Sequence, residues 1–207
     1  MDDRERIDRE VQAFFEKLWS QGDFWQFEAD EYEQNRYARL VRLLEGRRYG
    51  RALEVGCGAG AFTRYLAPLA ARVVASDVAA AAIERARASA PANVEFRVAN
   101  VIDKSWHADG PWDLIVFNDT IHYLGWRYTF FEVAWLAFQL FEATASGGRL
   151  LMANTMNAAG DYLLLPFVVR SYRDLFLNVG FRIEKEESFK GTKNGTEYEV
   201  LASLFTR

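Results

Sequence analysis

The residues with the clearest chemistry lie in the segment LEVGCGAGAF, residues 53–62, where glycines alternate with other residues. Gly56, Gly58 and Gly60 permit backbone angles that a Cβ obstructs, and they let a ligand approach the main chain closely. A loop of this kind between a strand and a helix also presents the free N–H groups of the helix N-terminus. Gly56, Gly58 and Ala61 alone match the pattern G-x-G-x-x-G/A, although a tight turn without a ligand would use the same glycines. The loop therefore predicts a nucleotide-like ligand without identifying it.

An acid follows at the spacing expected for a ribose contact. Asp77 ends the second predicted strand, 19 residues after Gly58. A carboxylate at this place can accept two hydrogen bonds from a ribose diol. Asp77 could instead cap the next helix. The joint occurrence of loop and acid favours the nucleoside interpretation.

Glu54 distinguishes between two possible cofactors. A dinucleotide would bring its pyrophosphate into this loop, where a nearby carboxylate would repel it. S-adenosyl-L-methionine (SAM) has no phosphate and carries an ammonium and a sulfonium, both of which a carboxylate attracts. The additional glycine, Gly60, agrees with the second choice, so Glu54 favours SAM over NAD.

A family resemblance follows from these residues. The segment LEVGCGAG resembles the E/D-x-G-x-G-x-G motif of class I SAM-dependent methyltransferases. Within that superfamily, FWQFEADEYEQNRY followed by LEVGCGAGAFTRYLAP resembles the NodS-like group, which implies an amino-bearing or other small natural-product acceptor. The resemblance covers residues 50–205, and the order of its segments is that of the family: Asp77 after strand two, VAN after strand three, WDLIVFNDTIHYL at strand four, GGRLLM at strand five and NVGF before strand six.

The resemblance implies SAM as methyl donor, S-adenosyl-L-homocysteine as product, and a set of cofactor contacts. Asn100 stands where the family commonly has Asp, and an amide oxygen can accept there as well. The implied contacts are Glu54 at the amino end of SAM, Gly56, Cys57, Gly58 and Gly60 around its methionine part, Asp77 at the ribose hydroxyls, Val78 and Val101 against the adenine, Asn100 at its N6 amine, and Asn118 near the sulfonium.

His122 is the candidate catalytic residue. It follows the tip of the fourth predicted strand, where the acceptor is expected, and it is one of only two histidines. A hydroxyl acceptor needs a base, and a neutral imidazole suits that role near pH 7. The alternative is a histidine on a helix face with no chemical role.

An aromatic segment precedes the glycine loop. In similar methyltransferases such a segment forms a lid over SAM and the acceptor. We expect residues 1–46 to form this helical lid and residues 47–207 to form the SAM-binding domain. Trp25, Tyr32 and Tyr37 are the candidate lid contacts, and Arg36 could pair with the SAM carboxylate. Alternatively, these rings only dock the helices.

The elements that must position these residues alternate along the chain. Helical periodicity predicts helices over 5–20 and 31–45. Asn194-Gly195 between two strand-like runs predicts a terminal hairpin. We therefore expect an α/β fold: a Rossmann-like doubly wound sheet, mostly parallel, with a C-terminal antiparallel hairpin and N-terminal lid helices. The remaining predicted elements are strands at 51–55, 94–100, 112–118 and 148–155, a strand in RVVASD, and helices at 61–70, 79–90, 126–145 and 171–180.

Composition narrows the partners. The net charge is −4 and the basic residues are dispersed, which argues against nucleic acid as a partner. The single cysteine, Cys57, excludes an internal disulfide and a cysteine-based metal site, so no metal is expected. No apolar run reaches the roughly 18 residues of a membrane span, and we expect a cytoplasmic protein. The high aromatic content, 15%, is consistent with a filled core or with a pocket for an aromatic ligand.

These observations predict a SAM-dependent methyltransferase that acts on a nitrogen or oxygen atom of a small molecule in biosynthesis. Two alternatives remain open at this point. One is a SAM-binding protein that transfers no methyl group, such as a cyclase, and the other is an NAD-dependent oxidoreductase. Incubation with labelled SAM tests the first alternative, which predicts slow loss of label without a methylated product. Calorimetry tests the second, which predicts tight binding of NADH and no binding of SAM.

Overall fold

The computed structural model describes residues 3–103, 105–157 and 161–207. Its centre is a seven-stranded sheet with the strand order β3-β2-β1-β4-β5-β7-β6. Strands β1 to β5 run parallel, and β7 runs antiparallel to both β5 and β6. The strands are β1 Tyr49–Val55, β2 Ala70–Asp77, β3 Val94–Val98, β4 Trp112–Asn118, β5 Thr144–Met156, β6 Arg182–Lys193 and β7 Thr196–Thr206.

Helices cover both faces of the sheet, which confirms the predicted doubly wound α/β fold. Central strands such as β4 are therefore buried on both sides, and their sequence is almost continuously apolar. Ile115 and Phe117 of β4 point to one helical layer, whereas Leu114 and Val116 point to the other. The helices are α1 Asp3–Trp19, α2 Glu31–Leu44, α3 Thr63–Leu66, α4 Ala80–Arg87, α5 Ile121–Arg127, α6 Phe130–Ala143 and α7 Pro166–Asn178.

The strand order reverses between β1 and β4, which lie side by side. In open parallel sheets, ligands bind outside the carboxyl ends of the strands at such a switch point. The glycine loop leaves β1 there, and Asn118 ends β4 there. The fold therefore brings the two sequence segments with the strongest chemical signals to one edge.

The terminal hairpin joins β6 to β7 through Asn194 and Gly195. Both residues have positive φ, 51° and 77°, as a type I′ turn requires. The predicted antiparallel hairpin is thus confirmed, and the strands extend further than the sequence indicated.

The predicted single helix over 126–145 is wrong, because the chain forms two helices there. Tyr128 is extended at the end of α5, and Thr129 caps α6. The Thr129 hydroxyl accepts from the Glu132 N–H, and the Glu132 carboxylate accepts from the Thr129 N–H in return. This capping box ends one helix and begins the next. The predicted helix over 61–70 is also shorter, since α3 gives way to a 3₁₀ turn at Ala67–Leu69.

The capping box at Thr129 generates a stability prediction. Thr129→Ala removes the oxygen that satisfies the Glu132 N–H, and we expect the free energy of unfolding to fall by about 1 kcal/mol. Thr129→Ser keeps that oxygen and serves as the matched control. Urea denaturation followed by circular dichroism measures both variants, and equal losses in the two would contradict the role of the cap.

Candidate functional site

A cavity of about 370 Å³ opens at the carboxyl ends of β1, β2 and β4. The segment before the glycine loop covers one side of it, and the tip of the β6–β7 hairpin reaches another side. Among the residues expected to form the site, those that line this cavity are Trp25, Tyr32, Tyr37, Glu54, Gly56, Cys57, Gly58, Asp77, Val78, Asn100, Val101, Asn118 and His122.

Gly60 does not line the cavity. Its φ is +80°, and a Cβ there would meet the ring of Phe96 at 3.0 Å and the Cβ of Ala86 at 3.4 Å. The glycine therefore lets the loop pack closely against β3 and α4. Its role is close packing behind the site, which the alternating glycine pattern alone does not distinguish from ligand contact.

Asp77 holds the glycine loop in place. Its Oδ2 accepts from the Gly58 N–H at 2.9 Å, and its Oδ1 accepts from the Ala79 N–H at 3.0 Å. Burial raises the pKa of Asp77, and these two backbone donors oppose that rise. Each carboxylate oxygen keeps a second lone pair. The carboxylate can therefore support the turn toward α4 and still accept from a ligand, so the two sequence interpretations are compatible.

Glu54 is a buried carboxyl group with no ion-pair partner in the part of the chain that the structure describes. Its side chain is 2% exposed, and Oε2 has no hydrogen-bond partner among those residues. Burial raises the pKa of Glu54 to about 8, Asp77 adds to the rise, and Thr63 opposes it. A buried carboxyl group in this state gains most from a cationic partner.

Arg36 of α2 forms the centre of a buried ion network. The side chain is 3% exposed, and its guanidinium pairs with Asp119 and with Glu33, the latter at 3.1 Å. It also donates to Asn118 Oδ1 at 3.0 Å and to Thr155 Oγ1 at 3.3 Å. Both terminal guanidinium nitrogens therefore donate to the protein, so the expected pairing of Arg36 with a cofactor carboxylate competes with these contacts.

Asp119, which follows β4, is the ion-pair partner of Arg36. Its φ is +51°, a left-handed conformation that Asp tolerates, and its Oδ1 accepts from the Thr155 N–H at 2.6 Å. Burial alone would raise the pKa of Asp119, but the Arg36 charge and the Thr155 N–H hold it below its ordinary value. The ionised pair thus fixes α2 to the ends of β4 and β5.

The aromatic residues before the loop pack in two groups. Trp25 stacks on Phe27, with ring centroids 5.5 Å apart, and also touches Trp19. The ring of Tyr32 lies over Gly191, where a Cβ would clash with it. The Tyr32 hydroxyl has no hydrogen-bond partner in the described ranges, and burial raises its pKa to about 12. This hydroxyl is available to a ligand.

The side chains of Tyr37 and Asn100 make more contacts within the protein than that of Tyr32. Tyr37 is 2% exposed and packs against Phe62 and Tyr65, so much of its ring belongs to the core. The Asn100 amide donates to Asp8 and to Tyr128, and its oxygen accepts from the Ile102 N–H. One lone pair of that oxygen is left for the expected adenine contact.

His122 is buried at the second position of α5. Its Nδ1 lies 3.0 Å from Asn154 Oδ1. Burial lowers the pKa of His122, and Asp119 partly opposes that shift. The imidazole is therefore neutral near pH 7.

Several cavity residues were missed by sequence reasoning. Val11, Phe15 and Trp19 of α1 line the cavity, whereas their spacing in the sequence indicates only that they share one face of a helix. Thr155 of β5 and Lys193, Asn194 and Tyr198 of the hairpin region also line the cavity, and no local pattern in the sequence distinguishes them. Among the described helices, none combines the length and apolar character that a membrane crossing requires.

Sequence comparison identifies one matching family. The family described as Nodulation protein S (NodS) matches residues 7–133. Nodulation protein S of Rhizobium tropici is 33% identical over 139 residues, which cover 66% of this chain and 56% of that protein. The same protein of Bradyrhizobium diazoefficiens is 38% identical over 105 residues, 49% of each chain. The chain thus spans about half the length of these curated relatives.

Solved structures share the whole fold. The N-methyltransferase NodS from Bradyrhizobium japonicum WM9, in complex with S-adenosyl-L-homocysteine, has a TM-score of 0.76 at 22% identity, covering 95% of this chain and 97% of that one. The DhpI complex with the same ligand has a TM-score of 0.66 at 19% identity and covers 95% and 96%. At these identities the likeness shows the fold.

The ion network yields a prediction for stability. Arg36→Met leaves Asp119 buried without its cation and leaves Glu33 with Lys193 alone, so we expect the free energy of unfolding to fall by about 3–5 kcal/mol. Arg36 lowers the pKa of Asp119, so its stabilising effect is lost as Asp119 becomes protonated. The difference in unfolding free energy between Arg36→Met and wild type should therefore become smaller at acidic pH.

Arg39 provides the matched control on the same helix. It pairs with Glu187 at 2.8 Å but is 39% exposed, so Arg39→Met should change the unfolding free energy by less than about 1 kcal/mol. Urea titrations of both variants at neutral and acidic pH measure the effects. Equal losses for Arg36→Met and Arg39→Met would contradict the central role of Arg36.

Proposed function

The chain belongs to the NodS family, and we propose that it is a SAM-dependent methyltransferase that methylates a small molecule in the cytoplasm. One observation carries this proposal. Glu54, buried and without a cationic partner among the described residues, lies in the cavity beside the glycine loop and Asp77. A ligand with a cationic amino end and a ribose complements both acids.

The residues present fit SAM by their donor and acceptor chemistry. Glu54 would accept from the ammonium, Asp77 from the ribose hydroxyls, and the backbone at Gly56 and Gly58 would permit close approach. Val78, Asn100 and Val101 would surround the adenine. The bound SAM supplies a methyl group that its sulfonium already activates.

Residues 1–46 would act as the lid over this site. In support, Trp19 of α1 packs on Gly58, where a Cβ would lie 2.6 Å from its ring. Glu16 accepts from the Ala81 N–H at the start of α4, and Arg36 fixes α2 to the strand ends. The chain would thereby exclude water and align the reacting groups, which are its main contributions to a displacement of this kind.

The charge of the cavity favours an amino-bearing acceptor. Six acidic side chains line the cavity against two basic ones, Arg36 and Lys193. Both basic groups pair with Glu33 or Asp119, and Glu28 pairs with Arg64, so the acids of the cavity without a cationic partner among the described residues are Asp23, Glu54 and Asp77. An excess of acids attracts a protonated amine. A hydroxyl on an aromatic acceptor is the second candidate, which His122 and the aromatic walls favour.

The acceptor itself does not follow from the family. Glu54, Asp77 and His122 lie within the matched residues 7–133. The cavity wall outside that range consists of Thr155, Leu164, Lys193, Asn194 and Tyr198. We propose that this wall selects the acceptor, whereas the matched part binds SAM.

Asp77 provides the first test of the cofactor assignment. Because hydrogen bonds to a charged group are lost, Asp77→Ala should weaken SAM and S-adenosyl-L-homocysteine binding by about tenfold or more in calorimetry. Asp174→Ala, at an exposed acid of α7, is the control and should leave both affinities unchanged. Tight NADH binding without SAM binding would overturn the proposal.

Glu54 provides a second test that needs no acceptor. With a pKa of about 8, Glu54 is mostly protonated at pH 7 in the free protein, and a bound ammonium would lower that pKa. SAM binding should therefore release protons, with more released at pH 7 than well above pH 8. Calorimetry in two buffers of different ionisation enthalpy measures the number released. Glu54→Gln should abolish most of the release, and a release unchanged in that variant would refute this role.

A further inference from the structure

We propose that Asn154 is a positioning residue that holds His122 as the tautomer with its proton on Nδ1, so that Nε2 faces the cavity as a proton acceptor. The catalytic use of this arrangement rests on the proposed methyl transfer. The arrangement itself follows from hydrogen-bond geometry around β5 and α5.

The orientation of the Asn154 amide is fixed by the main chain. Asn154 is fully buried, and its Nδ2 donates to the Thr155 carbonyl at 2.9 Å. A carbonyl oxygen can only accept, so the NH₂ group must face Thr155. A flipped amide would place two acceptor oxygens against each other. The amide oxygen of Asn154 therefore faces His122.

This orientation decides the tautomer of His122. The amide oxygen lies 3.0 Å from Nδ1, and since it has no proton to give, Nδ1 must carry the hydrogen. In a neutral imidazole the other nitrogen, Nε2, then has a free lone pair. Nε2 makes no hydrogen bond with the described part of the chain, and the ring lines the cavity together with Asn118 and Tyr123.

The charged groups near the His122 imidazole do not replace Asn154 as the residue that orients the ring. Asp119 and Asp161 both favour the protonated imidazole, but burial outweighs them and lowers the pKa of His122. The Asp119 oxygens are engaged by Arg36 and Thr155, and Asp161 Oδ1 accepts from the Leu163 N–H. Neutral Asn154 is therefore the partner that orients the ring without adding charge.

The transfer step balances with this assignment. A bond forms between the acceptor atom and the methyl carbon as the carbon–sulfur bond breaks, and that electron pair stays on sulfur. The proton that the acceptor loses, from an ammonium before attack or from a hydroxyl during it, goes to Nε2 of His122. No further reactant is required.

Nitrogen NMR of the imidazole rings tests the tautomer directly. The chain has only two histidines, so ¹⁵N-histidine labelling gives two ring systems, and His107→Gln leaves the His122 ring alone. At about pH 8, above the ordinary histidine pKa of about 6.5, we expect a protonated Nδ1 and an unprotonated Nε2. A protonated Nε2 in the otherwise unaltered ring would overturn the proposal.

Variants of Asn154 separate orientation from simple packing. Asn154→Leu, or Asn154→Ala if the first does not fold, should let protonation spread to Nε2. Asn154→Asp keeps an oxygen acceptor and should retain the proton on Nδ1. An unchanged spectrum in the Leu or Ala variant would also overturn the proposal.

Calorimetry with S-adenosyl-L-homocysteine on the same samples keeps the two hypotheses apart. If S-adenosyl-L-homocysteine binds but His122 carries its proton on Nε2, the role of Asn154 is refuted and the proposed function is not. If His122 carries its proton on Nδ1 but S-adenosyl-L-homocysteine does not bind, the proposed function is refuted, whereas the role of Asn154 in orienting the ring is supported.

Discussion

The buried pairing of Arg36 with Asp119 and Glu33 is the constraint on which the rest of the site depends. It joins the second helix of the N-terminal segment to the tips of two central strands, β4 and β5. A buried arginine is tolerated only when anions and further acceptors surround it. Because those acceptors come from both strand ends, the pairing holds α2 over the carboxyl ends of β4 and β5. Glu33, Arg36 and Asp119 also line the cavity, so the same pairing forms part of its wall.

Beside the ion network of Arg36, two buried acids have no cationic partner among the described residues. Glu54 and Asp77 lie on the neighbouring strand ends, and burial raises the pKa of each. The sheet topology brings them together, since β1 and β2 are parallel neighbours whose ends share one edge. Two buried acids without a cation are electrostatically unfavourable, and a cationic ligand would relieve this, which is a typical feature of a preformed ligand site.

The sequence predicted most of this edge because its signals are local. The glycine loop and Asp77 are recognisable by spacing, and Asn194-Gly195 specifies its own turn. The break at Thr129 also had a local signal, the T-x-x-E of Thr129 to Glu132, but the apolar run around it masked that signal. Apart from Glu33 on the same helix, the partners of Arg36 lie 82 to 119 residues away. No periodicity in the sequence encodes such contacts. The ion network of Arg36 and the part of the cavity wall formed by the β6–β7 hairpin could therefore be identified only from the structure.

Two consecutive residues of β5 connect His122 to the ion network around Arg36. Thr155 contacts Asp119 and Arg36, while Asn154 contacts His122, and a hydrogen bond from the Asn154 amide to the Thr155 carbonyl links them. Any shift of the strand end therefore displaces the partners of both. Both residues lie outside the range that matches the NodS family, whereas His122 and Arg36 lie within it. The proposed orientation of His122 thus depends on the same part of the chain, residues 134–207, that supplies the proposed acceptor-selecting residues.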